Sequence, residues 1–99
     1  EFNEIKINTL NNQIHPVEGE FPDIIFGNYG QIMMIGEVET ISKINSESIK
    51  KWKKLHSLGY NCILFVPKDE LKKVRDLCFD NKLIERIKIS PFSVEIPIS

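Results

Sequence analysis

Residues 60–67, YNCILFVP, form an uncharged and almost wholly apolar run. The run is too short to cross a membrane and lacks the polar–apolar alternation of a strand wetted on one side, so it reads as a strand buried on both faces. On either side the periodicity is helical. Ile49, Trp52, Leu55 and Leu58 recur at helical spacing after a capping residue, Asn45 or Ser46, and Gly59 is placed to end that helix as a left-handed cap. Downstream, Leu71, Val74, Leu77 and Cys78 form the stripe of a second helix, with Asn81 as its stop. A buried strand between two helices belongs to crossover connections, and so to a sheet with parallel strands. LIERIKIS (83–90) supplies another strand. SVEIPIS (93–99) alternates once more, and Pro97 marks it as an edge strand.

The first forty residues follow a different pattern. EIKI alternates weakly and runs into a polar turn at Asn11–Asn12. DIIFG and QIMMIGEVET flank GNYG, whose glycines supply the positive φ of a tight hairpin turn. In the longer strand, residues 33, 35, 37 and 39 share one face and 32, 34, 36 and 38 the other. Gly36, in mid-strand, suggests a bulge or the close approach of another backbone. The whole therefore predicts one α/β domain over residues 1–99: a mixed β-sheet flanked by helices.

The chain lacks a signal-peptide pattern and an apolar run of membrane-spanning length, and it starts without Met, as a trimmed piece would. Its two cysteines, Cys62 and Cys78, sit among apolar residues; they read as buried thiols and fit a cytoplasmic location. The net charge of −1 conceals an asymmetry: one lysine against seven acids in residues 1–40, twelve Lys/Arg against seven acids afterwards. Such a division suits a cation site beside a polyanion-binding face, although lysines that merely solvate helices give the same count.

Three of the acids lie in otherwise apolar sequence. Glu37 and Glu39, two apart in a strand, project from the same face as Met33 and Ile35, a pattern that a wet face does not favour. Counting back from the GNYG turn sets Asp23 opposite the Glu37 region. Three carboxylates at one end of a hairpin repel one another, and a hard divalent cation such as Mg2+ or Mn2+ relieves that repulsion.

Pro22-Asp23, thirteen residues, then Glu37-Val38-Glu39, on a hairpin followed by a helix and a buried strand, resembles the PD-(D/E)xK nuclease superfamily. The likeness spans residues 15–66. It implies a restriction-endonuclease-like core related to αβββαβ, although the first helix of that core is not evident. It also implies Mg2+-dependent hydrolysis of DNA phosphodiester bonds. Asp23 and Glu37 would then be metal ligands, with the Val38 carbonyl completing the set. Glu39 stands where the family usually has lysine. Lys43, Lys51, Lys53 and Lys54 are the candidates for the missing positive charge, with Lys53 or Lys54 preferred; the catalytic set is then Asp23, Glu37, Glu39 and Lys53. Lys50, Lys51 and Lys54, in KKWKK, would contact nucleic-acid phosphates. DNA is the expected partner, and a homodimer pairing through the C-terminal edge strand is expected with it. The alternative is a non-catalytic nuclease-like module that binds nucleic acid or a protein; an interaction domain with exposed acids is a third reading. His15 reads as a surface loop residue, His56 as structural and Trp52 as core packing.

Overall fold

The computed structural model describes residues 2–9, 11–40, 44 and 46–92. Five strands, β1 (Glu4–Ile7), β2 (Ile24–Asn28), β3 (Gln31–Val38), β4 (Asn61–Pro67) and β5 (Ile87–Phe92), form one sheet in sequential order. β1–β2 and β2–β3 are antiparallel, whereas β3–β4 and β4–β5 are parallel. The two parallel connections carry α1 (Ser46–Ser57) and α2 (Leu71–Asp80). The expected mixed sheet with crossover helices is therefore present. The proposed Asn45 cap, Lys43 and the strand at 93–99 lie outside the described residues.

The hairpin turn forms where its residues demand it. Tyr29 and Gly30 take φ of 53° and 78°, and Asn28 pairs with Gln31 across them. Two successive positive φ values give the primed turn whose twist matches the flanking strands. Gly59, at φ 87°, follows α1 as the left-handed residue expected there.

Three expectations need correction. The irregularity in the hairpin is at Met33, not Gly36. Phe26 pairs with Met34 and Gly27 with Ile32, so Met33 is the extra residue and Ile32 turns to the Ile35 side. What approaches Gly36 is side chains, not backbone: a methyl group there would lie 3.3 Å from the Phe26 ring and 3.4 Å from Ile63 and Phe65. The strand expected over 83–90 begins only at Ile87, because residues 84–86 form a short 3-10 turn.

The third correction concerns burial. Ile35, Cys62, Leu64, Val66 and Ile87 pack with Trp52 and Leu55 of α1 and Val74 and Cys78 of α2, so both helices cover one face. On the other face Ile63 and Phe65 of β4 are only half-buried, while Ile5, Ile7 and Val38 are exposed. Strand β4 is thus sealed on one side only, and among the described residues no helix lies over the second. None of the described helices is long and apolar enough to cross a membrane.

Candidate functional site

The site lies at the open end of the β2–β3 hairpin. The ladder runs from Asn28–Gln31 at the turn to Ile24–Gly36, so the next residues outward, Asp23 and Glu37, face each other. Each carboxylate holds the other strand's backbone. Glu37 Oε2 accepts a 2.6 Å hydrogen bond from the Asp23 N–H, and Asp23 Oδ2 accepts one of 2.8 Å from the Val38 N–H. In an extended strand the C=O of a residue leaves on the same side as its N–H, so the Val38 carbonyl is directed toward the Asp23 side as well.

Glu37 is fully buried, and its Oε1 is ion-paired with the Lys51 ammonium, whose side chain is 44% exposed. Lys51 therefore reaches into the site from solvent along the flank of α1. Its neighbour Trp52 is buried and donates through Nε1 to Glu39 Oε1 at 2.9 Å. Glu39 is itself buried, and its backbone N–H donates to the Phe65 carbonyl at 2.8 Å, extending the β3–β4 pairing by one residue. One turn of α1 thus grips both acids of the Glu-x-Glu element.

The electrostatics follow from this packing. Burial pushes the Glu37 carboxyl up to about 7; the Lys51 and Asp23 hydrogen bonds oppose the rise, and the Asp23 charge adds to it. Burial draws the Lys51 ammonium down, but the Glu37 hydrogen bond and charge outweigh it, with Asp23 and Glu39 adding, and the net result lies above the ordinary lysine value. Cys62 is pushed to about 12 by burial and by the nearby Glu37 charge, and Cys78 to about 11 by burial. Burial holds both free thiols protonated at neutral pH.

The structure brings Asp23, Glu37 and Lys51 together, while Glu39, expected as the third acid of the cluster, is turned onto Trp52 instead. Lys53 is exposed on α1, and it is Lys51 that faces the carboxylates. Lys54 lies 3.7 Å from Glu20, in the segment leading into β2, and Lys50 pairs with Glu47 of α1 at 3.3 Å; both lysines are well exposed. Among the described residues no three His, Cys, Asp or Glu side chains converge as a ready metal cage. Two carboxylates and one carbonyl, those of Asp23, Glu37 and Val38, lie at this end of the hairpin, and both Glu37 oxygens are already engaged by Lys51 and the Asp23 N–H. Fully burying an acid beside a second acid is costly, and the Lys51 ammonium on Glu37 offsets part of that cost.

Asn8 completes the site and carried no sequence signal, since an asparagine after a strand reads as a turn residue. It is buried and uses all its hydrogen-bonding capacity. Nδ2 donates to the His15 and Pro22 carbonyls, both at 2.8 Å, and Oδ1 accepts from the Ile14 and His15 N–H groups at 3.1 and 2.8 Å. The Asn8 N–H donates to the Asp23 carbonyl at 3.0 Å. This one residue anchors the segment that delivers Asp23 to the hairpin. Asn8→Ala should destabilise the fold by about 2–3 kcal/mol, because several backbone groups lose their partner at once. Urea unfolding measures this; a loss below about 0.5 kcal/mol, that of an ordinary surface change, would mean that water replaces the side chain freely.

Comparisons with family models, with curated proteins and with solved structures give no match to this chain.

Proposed function

We propose that this chain is a restriction-endonuclease-like module that hydrolyses DNA phosphodiester bonds with Mg2+ or Mn2+. The observation that carries the reading is the opposition of Asp23 and Glu37 across the hairpin, with the Lys51 ammonium on Glu37. Asp23, Glu37 and the Val38 carbonyl would hold the metal. When bound there, it would polarise a phosphoryl oxygen and lower the pKa of a water molecule.

The remaining roles belong to the chain. Lys51 replaces the lysine absent from position 39: it enters from the helix rather than the strand and presents a positive charge where the phosphate would gain negative charge. Glu39, fixed by Trp52, sets the position of α1 and with it of Lys51. Lys50 and Lys54 lie on the exposed side of the same helix, suited to phosphates of the DNA backbone, and would make binding weaken with salt.

The test is nicking of supercoiled plasmid in Mg2+ and in Mn2+, with a chelator as control. The wild type should nick, the chelator should stop it, and Lys51→Met, compared at a temperature where circular dichroism shows both chains folded, should be about 100-fold slower. No nicking with either metal, or a Lys51→Met variant as fast as wild type, would overturn the reading. A second reading, a non-catalytic nuclease-like module, is favoured by one observation: Glu39 is turned inward onto Trp52, away from the role of a base. Calorimetric Mn2+ binding without cleavage would select it.

A further inference from the structure

Two apolar surfaces remain open. On the uncovered sheet face, with Ile5, Ile7 and Phe65, no feature selects one occupant over another. The second surface is more specific. A groove of about 420 Å3 runs beside β5, lined by Arg75, Asp76, Phe79, Ile84, Ile87 and Ile89. Phe79 is 70% exposed and Ile84 53%, which is unusual for two large apolar side chains bordering one groove.

We infer that this groove and the adjoining edge of β5 form a twofold interface between two copies of the chain. β5 is the last strand in the sheet order, and among the described residues nothing pairs with its outer edge. An open edge is a template for another strand. The groove also joins one cation to one anion, Arg75 and Asp76, neither of which has an ion-pair partner among the described residues. A twofold interface requires a patch that complements itself. With the edges antiparallel, Phe79 and Ile84 of each copy meet at the centre, and each Arg75 is set against the other copy's Asp76. A foreign peptide would need its own matched pair of charges; a second copy brings it. The contact is small, with six residues of β5 and one of them a proline without an N–H, so the dimer sits at the low end of specific interfaces and dissociates on dilution. The inference is independent of the nuclease reading.

Sedimentation of the 99-residue chain over a concentration series tests it. The wild type should pass from monomer to dimer in the micromolar range. Phe79→Glu should be monomeric with an unchanged circular dichroism spectrum, since the side chain is exposed. Arg75→Glu should weaken the dimer about tenfold, and the double swap Arg75→Glu/Asp76→Arg should restore it. A chain monomeric up to about 1 mM, as when another segment of its own fills the groove, overturns the inference. So does a dimer that Phe79→Glu leaves intact, which places the contact on another surface.

Discussion

Asp23→Ala is expected to abolish plasmid nicking, a fall of about 1,000-fold that corresponds to several kcal/mol of lost charge stabilisation in the transition state. Asp23 has two tasks, and two variants separate them. Its Oδ2 accepts the Val38 N–H, and its charge would hold the metal. Asp23→Asn keeps an oxygen for the Val38 N–H and removes the charge. Under the proposed function, both variants are inactive. Only the alanine variant should also be less stable, by about 1 kcal/mol, the worth of a half-exposed hydrogen bond. An Asp23→Asn enzyme that nicks at the wild-type rate would show that the charge is not needed and would remove Asp23 from the metal site.

The second large effect is on stability. Without metal, in chelator, the folded chain should lose roughly 3 kcal/mol between pH 4.5 and about 7, through Glu37 alone. The sign follows from the direction of the shift. Glu37 has a folded pKa raised above its unfolded value, mainly by burial. Below the unfolded value both states hold the proton. Between the two values the folded chain keeps a proton that the unfolded chain has released, so stability falls as pH rises, and it levels off above the folded pKa. Lys51, raised above its ordinary value, acts only at alkaline pH, outside this window. Glu37→Gln keeps an oxygen for the Asp23 N–H and cannot titrate, so its stability should be flat across the same range. Urea unfolding at intervals from pH 4.5 to 8 measures both curves; an equal slope in the Gln variant assigns the titration to another group.

What the sequence disclosed follows from which signals are local. The β2–β3 hairpin was legible because Tyr29-Gly30 fixes the turn; an unbroken register counts outward to Asp23 opposite Gly36, and the bulge at Met33 moves its partner to Glu37. The helix α1 was legible from the spacing of Trp52 and Leu55, both buried as that spacing requires. The choice of lysine was not. Lys50, Lys51, Lys53 and Lys54 are chemically alike, and which of them meets Glu37 depends on how α1 is rotated against the sheet, a tertiary matter in which the Trp52–Glu39 bond takes part. The bulge at Met33 was hidden because one more apolar residue in QIMMIG leaves no mark on the pattern. The apolar run of β4 announced burial on both faces, but a strand's own residues do not reveal whether any element lies above the second face; here Ile63 and Phe65 stay half-buried.

Trp52 and Lys51 are adjacent on α1, one plugged into the core and the other resting on Glu37. Any opening motion that lifts this helix wets the core and strips the acid of its counter-charge in the same event. The Glu37–Lys51 ion pair and the core packing of Trp52 thereby belong to one cooperative unit. On heating, the ion pair and the core should therefore be lost in a single transition.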